Sequence, residues 1–123
     1  MSDDNTMAPD NPMKRVYDLC HYSAMASIGR PPATAEILHK RLEDAGFVDV
    51  KVETFKQVYG PWPRDPKMKH IGAMALLMCE TGIEAYALLA LIRILHMDPD
   101  EAKKLCKEAV AAAKNKNFHM YSL

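Results

Sequence analysis

The sequence predicts a mainly α-helical protein with about five helices and one β-strand, and three observations support this class. Apolar residues recur at intervals of three and four through most of the chain after residue 11. Asn or Asp followed by Pro stands at three places where such a pattern begins, which is typical of a capped helix start. Only residues 47–55 alternate apolar and polar side chains, as a half-buried strand does.

The chain has 123 residues, which is within the usual size of one domain. Residues 1–10 are polar and acidic without periodicity, so we expect a disordered tail there and a single helical domain over residues 11–123. The beginning of the sequence shows no apolar signal-peptide core. Cys20, Cys79 and Cys106 are odd in number and widely spaced, which fits reduced thiols and predicts a cytoplasmic location.

Two helices are predicted before the strand. The first begins with Asn11 as its cap and continues to about residue 28, where Gly29 supplies a stop signal. The second covers about residues 33–45 and ends at Gly46, with apolar residues on one face and charged residues on the other.

The predicted strand extends from Phe47 to Phe55, where Val48, Val50 and Val52 alternate with charged residues. A strand cannot satisfy its backbone groups alone, and an unpaired edge favours pairing with another chain. Residues 118–123 could supply a short second strand and so complete a two-stranded sheet. The other candidate partners are a second copy of this chain, giving a homodimer, and a different protein.

A proline-rich loop, Gly60-Pro61-Trp62-Pro63-Arg64-Asp65-Pro66, connects the strand to the remaining helices. Its last two residues predict a helix start. One helix is expected over about residues 66–80 and another over about 82–96, because Thr81-Gly82 interrupts the apolar pattern. The last helix begins at Asp98 and continues to about Lys114.

The charge balance excludes two classes of partner. Sixteen basic and sixteen acidic residues give a net charge of zero, which argues against binding to nucleic acid or to an anionic membrane. The most apolar stretch, residues 71–95, contains Glu80, Glu84 and Arg93, which a membrane-spanning helix tolerates poorly. We therefore expect a buried helix pair and no membrane insertion.

The sequence shows little catalytic chemistry. Its five glycines are too far apart for a GxGxxG turn or a phosphate-binding loop. The side chains of Cys20 and His21 diverge by about 100° on a helix, and the other histidines are isolated, so no metal site is expected. No catalytic residue can be assigned.

A pocket for a hydrophobic small molecule is the one binding site that the residues suggest. Methionines fall near one face of the helix that follows the proline-rich loop, and methionine adapts well to an irregular apolar ligand or to a partner helix. Packing in the core is the alternative role for these side chains. The candidate pocket residues are Trp62, Arg64, Met74, Met78, Tyr86 and Tyr121.

The order of elements resembles a known family. Two helices come first and lead into the segment LEDAGFVDVKVETFK (residues 42–56). The loop segment GPWPRDPKMKHIG (residues 60–72) follows, and an apolar helix pair comes after it. A capped helix then leads to NFHMY (residues 117–121). Together these segments resemble the C-terminal part of the LaeA-like fungal secondary-metabolism methyltransferases, which are class I S-adenosylmethionine-dependent enzymes. The resemblance covers about residues 12–121.

The resemblance implies a truncated class I methyltransferase fold. Family members carry the glycine-rich cofactor turn in an N-terminal half that has no counterpart here, so no cofactor residue can be transferred. We therefore expect a methyltransferase-like protein that does not bind S-adenosylmethionine alone and acts, if at all, by complementing a partner chain. The alternative is a small cofactor-free cyclase, isomerase or binding protein for a hydrophobic natural product, using the helices around the candidate pocket.

Overall fold

A computed structural model describes residues 2–4 and 6–122. Within them the chain forms four helices and one two-stranded sheet, in the mainly α-helical arrangement predicted. The elements are α1 over residues 12–27, α2 (Ala35–Asp44), β1 (Gln57–Tyr59), α3 (Pro66–Ile94), α4 (Pro99–Ala113) and β2 (Met120–Ser122). Met1, Asn5 and Leu123, which belong to the predicted tail and the predicted second strand, lie outside the described residues.

The predicted helix starts are confirmed by their caps. The side chain of Asn11 accepts a hydrogen bond from Met13 N at 2.9 Å, and Asn11 itself is buried. Asp65 accepts from Met68 N at 2.8 Å, and Asp98 accepts from the amides of residues 100 and 101 at 2.9 and 3.1 Å. Each oxygen satisfies a backbone donor that the first helical turn cannot pair internally.

Helix α1 contains a π-helical segment, Asp18–Ala24, between α-helical segments Pro12–Tyr17 and Met25–Ser27. Gly29 follows with φ 72°, the left-handed conformation that favours glycine, and ends the helix as predicted. Helix α3 ends in a second π-helical segment, Leu89–Ile94, and the two π-helical segments contact each other.

The predicted strand at Phe47 to Phe55 is wrong. These residues form an irregular extended segment, and the strand β1 begins only at Gln57. Two features explain the difference: Asp49 has φ 54°, which interrupts an extended run, and the Val48 side chain is 85% exposed, so the alternation buries no face. The partner strand predicted in the tail is confirmed as β2, which pairs antiparallel with β1 and places Val58 opposite Tyr121.

The predicted division of the apolar region into two helices is also wrong, because α3 continues through Thr81 and Gly82. A single glycine inside a helix costs only about 1 kcal/mol, which the flanking turns can offset. The hydroxyl of Thr81 donates to the carbonyl of Leu77 at 3.0 Å and so stays within the helix. The count of helices is therefore four rather than five among the described residues.

The length and apolar composition of α3 match those of a membrane-spanning helix, and 22% of its most apolar window is buried. The core helix of a water-soluble domain can have the same length and composition. The absence of a membrane partner therefore stays a prediction.

The core lies where α1 and the second half of α3 pack against α4. The cluster consists mainly of small and branched apolar side chains, with Leu91 fully buried at its centre. Its buried members are Val16, Ala87, Leu91, Ala102, Leu105, Cys106 and Ala109. Cys106 is thus a packing residue, as the sequence predicted for the thiols.

The proline-rich loop is attached to α3 by two glycines. Gly60 N donates to the carbonyl of Gly72 at 2.9 Å, and Gly60 has φ 96°. A Cβ atom on Gly72 would lie 2.1 Å from the Gly60 carbonyl oxygen, so only glycine permits this approach. The same contact seats Val58 of β1, which is 3% exposed, on the first half of α3.

Candidate functional site

Two grooves lie on opposite halves of α3. The first, which we call the Trp62 groove, has a volume of about 290 Å³ and lies between the proline-rich loop, the end of α4 and the segment before β2. It is lined by Tyr59, Gly60, Pro61, Trp62, Leu76, Ala113, Lys114, Asn115, Lys116, Phe118 and His119. Its walls are therefore aromatic, with amino and amide groups at one end.

The aromatic wall is held in place by local contacts. Trp62 Nε1 donates to the carbonyl of Tyr59 at 3.1 Å, which fixes the indole against the end of β1. The indole and the His119 ring lie 4.9 Å apart at 33°, within the range of a favourable ring contact. Because the loop is rich in proline, these positions carry little backbone freedom.

The charges at the groove are unevenly compensated. Lys114 Nζ lies 3.4 Å from a carboxylate oxygen of Glu80, and His119 Nδ1 lies 2.5 Å from a carboxylate oxygen of Asp4. Lys116 has no carboxylate within 4 Å among residues 2–4 and 6–122. Within the described part of the chain, the groove therefore presents one ammonium group, that of Lys116, whose charge no neighbouring carboxylate neutralises.

The acidic N-terminal segment lies beside β2 and forms several hydrogen bonds there. Asp3 pairs with Lys56 at 2.5 Å and accepts from the Tyr121 hydroxyl at 2.5 Å, while Lys56 lies 4.3 Å above the Tyr121 ring. The bonds from Lys56 and Tyr121 lower the pKa of Asp3, and the bond to Asp3 raises the pKa of Tyr121. The Asp4 pKa is lowered by its bonds from Ser2, His119 and Thr6. The predicted disorder of residues 1–10 stays a prediction beside these contacts.

The second groove, with a volume of about 330 Å³, lies between α1 and the second half of α3. We call it the Tyr86 groove; it is lined by Met13, Val16, Tyr17, Cys20, His21, Met25, Pro32, Ile83, Tyr86 and Ala87. Tyr17 and His21 stack at 4.9 Å, and Tyr22 contacts both rings edge-on. Burial raises the pKa of Tyr17, so the hydroxyl stays protonated well above neutral pH.

The predicted pocket residues do not form one pocket. Trp62 lines the first groove and Tyr86 the second, whereas the other four line neither of these two grooves. Arg64 is exposed on the loop, Tyr121 faces Asp3, and Met74 and Met78 are 47% and 66% exposed on α3. The assignment of these six residues to a substrate pocket stays a prediction.

Sequence reasoning missed most of the Trp62 groove. Lys116, Phe118 and His119 follow α4 far from Trp62 in the sequence, and only the pairing of β1 with β2 brings them beside the loop. The one available signal was the pair of segments GPWPRDP and NFHMY, both of which the family resemblance singled out.

The cysteines are not activated. Burial raises the pKa of Cys20 to about 11 and also raises the pKa of the Cys79 and Cys106 thiols. A thiol in this state is a weak nucleophile at neutral pH. No group of three His, Cys, Asp or Glu side chains able to hold a metal occurs within the part of the chain that the structure describes.

A large apolar surface is left exposed by α2 and the segment that follows it. Helix α2 has no buried residue, although its apolar side chains share one face. His39 Nε2 lies 3.1 Å from the carbonyl oxygen of Val50, which holds the extended segment alongside the helix. We call this the α2 surface; its exposed large apolar side chains are Ile37, Leu38, Leu42, Phe47, Val48, Val52 and Phe55.

No protein-family model and no solved structure matches the chain. Among curated proteins, it is 29% identical over 120 residues to the methyltransferase pytC of Aspergillus terreus, covering 96% of this chain and 36% of that protein. It is also 29% identical over 121 residues to the secondary metabolism regulator LAE1 of Cochliobolus heterostrophus, covering 98% and 39% respectively. The probable methyltransferase tdiE of Emericella nidulans is 26% identical over 120 residues, covering 98% and 38%.

The chain thus spans less than two-fifths of the length of these relatives, while they match nearly all of it. The resemblance inferred from its helices, loop and tail is confirmed. Over nearly its whole length, this chain is similar to part of these longer fungal proteins, two of which are methyltransferases and one a regulator of secondary metabolism.

Proposed function

We propose that this chain forms the helical, substrate-side part of a methyltransferase that acts on small natural products in fungal secondary metabolism. It contributes to methyl transfer only together with a cofactor-binding part, carried on another chain. The relatives support the methyltransferase assignment, and each is more than twice as long as the segment that this chain matches.

The α2 surface is the observation that carries the proposal. An amphipathic helix normally buries its apolar face, whereas Leu38 and Leu42 of α2 are 49% and 41% exposed. The neighbouring extended segment adds apolar side chains and backbone groups that no strand pairs in the described structure. Exposed apolar patches of this kind mark interaction sites. We infer that the partner is the part of a related methyltransferase that this chain does not match, because the chain is similar to the remaining part.

The cofactor is expected to bind elsewhere than on this chain. A class I site for S-adenosylmethionine needs a glycine-rich turn at the end of a parallel strand. The sheet of residues 2–4 and 6–122 is antiparallel and has two short strands, so these residues do not fit the cofactor.

The experiment is reconstitution with the unmatched part of the pytC methyltransferase, produced as a separate chain. We expect the two to co-purify and the mixture to bind S-adenosylmethionine by isothermal titration calorimetry, whereas this chain alone gives no binding heat. Tight cofactor binding by this chain alone would contradict the proposal. So would failure of the two chains to associate when both are folded.

Two variants locate the contact. Leu42→Asp places a charge on the α2 surface, and Ala111→Asp places the same charge near the end of α4, where residue 111 is also exposed. We expect Leu42→Asp to prevent association and Ala111→Asp to leave it intact, with the circular dichroism of both unchanged. Equal effects of the two variants would count against the α2 surface. The molar mass of this chain alone, measured by light scattering, tests the alternative that the α2 surface forms a homodimer.

The alternative function, a cofactor-free enzyme or binding protein for a hydrophobic natural product, stays a prediction. Such an enzyme needs a closed cavity that excludes water and positions its substrate. The Tyr86 groove is open to solvent. The core between the helices next to it is filled by Leu91 and the other buried residues of the cluster.

A further inference from the structure

The Trp62 groove combines two features that the methyltransferase relationship does not explain. Its walls carry four aromatic rings, those of Tyr59, Trp62, Phe118 and His119. Its lining also includes two lysines, and no acidic side chain lines it in the described part of the chain. An aromatic wall with one lysine at its edge, which no carboxylate of the described residues pairs, favours a flat ligand that carries a negative charge.

The size of the groove limits that ligand. Its volume of about 290 Å³ is near the lower end of the range for small-molecule sites, which is about 300–1,000 Å³. One or two fused rings fill such a space. The indole of Trp62 is already oriented by its bond to the Tyr59 carbonyl, so stacking requires no reordering of that ring.

The position of the charge follows from the neighbouring ion pairs. Glu80 neutralises Lys114, whereas no carboxylate of residues 2–4 and 6–122 lies within 4 Å of Lys116, so Lys116 is the ammonium group available to a ligand. An anion at Lys116 forms a charge-assisted hydrogen bond at the edge of the aromatic wall. A neutral ligand of the same shape gains only the stacking contact.

We propose that the Trp62 groove binds a small planar aromatic carboxylate, with its ring against Trp62 and His119 and its carboxylate at Lys116. This proposal rests on the groove alone and does not depend on association with a cofactor-binding chain. In this arrangement Trp62 is part of the wall of a binding site as well as a residue of the proline-rich loop.

The single tryptophan makes the test specific, because the chain has one indole N–H and it belongs to Trp62. The uniformly ¹⁵N-labelled chain is titrated with 2-naphthoate and, separately, with 2-naphthalenemethanol, a neutral molecule of the same ring size. We expect a saturable shift of the indole resonance with 2-naphthoate and an apparent Kd about fivefold weaker for the alcohol. Equal affinities, or no saturation at millimolar 2-naphthoate, would overturn the proposal.

Two lysine variants test the position of the carboxylate. Lys116→Gln should weaken 2-naphthoate binding by about fivefold and leave binding of the alcohol unchanged. Lys103→Gln, which removes an exposed lysine near the start of α4, should leave both affinities unchanged. An equal loss in both variants would point to general charge attraction and reject the assigned site.

Trp62→Leu tests the aromatic wall, with binding measured by calorimetry because the indole signal is gone. We expect loss of binding for both ligands at the concentrations used. Unchanged affinity in a folded Trp62→Leu variant would reject the proposal. The Lys116→Gln comparison remains decisive if Trp62→Leu does not fold, since the Lys116 side chain is exposed.

Discussion

The core and the α2 surface are built from similar amphipathic patterns but have opposite surroundings. Helix α4 buries five residues, and two of them, Ala102 and Ala109, are completely enclosed. Helix α2 buries none, although Ile37, Leu38 and Leu42 share one face. An amphipathic sequence therefore shows that a helix has an apolar face, but the surrounding elements decide whether that face is covered.

The largest expected difference is between a leucine in the core and one on the α2 surface. Leu91→Ala should reduce the free energy of unfolding by about 2–5 kcal/mol, because Leu91 is fully buried and its removal leaves a cavity. Leu38→Ala should change it by less than about 0.5 kcal/mol, since that side chain is half exposed. Urea unfolding followed by circular dichroism measures both. Similar losses would show that α2 packs against the core in solution.

A second comparison uses two glycines of the same helix. Gly72→Ala should destabilise the chain by about 2 kcal/mol, because its Cβ atom would lie 2.1 Å from the Gly60 oxygen and force the loop away. Gly82→Ala should stabilise it by up to about 1 kcal/mol, since the nearest atom is 3.7 Å away and alanine favours a helix. Thermal unfolding gives both values. A stabilising Gly72→Ala would mean that the loop does not lie on α3.

A smaller difference is expected between two helix caps. Asp98→Ala should cost about 1 kcal/mol, because Asp98 accepts two backbone hydrogen bonds at the start of a helix that packs in the core. Thr34→Ala should cost less, since its single bond to Ile37 N is longer, at 3.3 Å, and α2 is exposed. Chemical unfolding of the two variants checks the order. The reverse order would show that α2 contributes more to stability than its contacts indicate.

The smallest effect is expected from alkaline pH. Burial raises the pKa of Cys20 from 9.0 to about 11, so the unfolded chain releases the thiol proton at lower pH than the folded chain does. Stability should therefore fall as pH rises through that interval, because the unfolded state gains a favourable ionisation first. Melting temperatures measured between pH 8 and 11 should decline less steeply in Cys20→Ala. An identical slope in both proteins would show that Cys20 is solvated in the folded state.

The helix starts could be predicted because they depend on neighbouring residues. Asn11, Asp65 and Asp98 each cap an amide two or three residues further on, and proline at the next position fixes the backbone for the first turn. The amphipathic spacing of α2 and α4 is equally local. Local sequence was therefore sufficient to predict where α1, α3 and α4 begin, which helix faces are apolar, and which family the chain resembles.

Features that join distant residues depend on long-range contacts. The valine alternation after residue 47 predicts a strand, but no neighbouring strand pairs with it among the described residues, and the pairing occurs instead at Val58. Thr81-Gly82 stays helical because contacts along α3 offset the local cost of glycine. The Trp62 groove exists because β2 pairs with β1 and brings His119 beside the loop. The sequence predicted a strand in this tail but placed its partner at residues 47–55, because local patterns do not specify the register between distant residues.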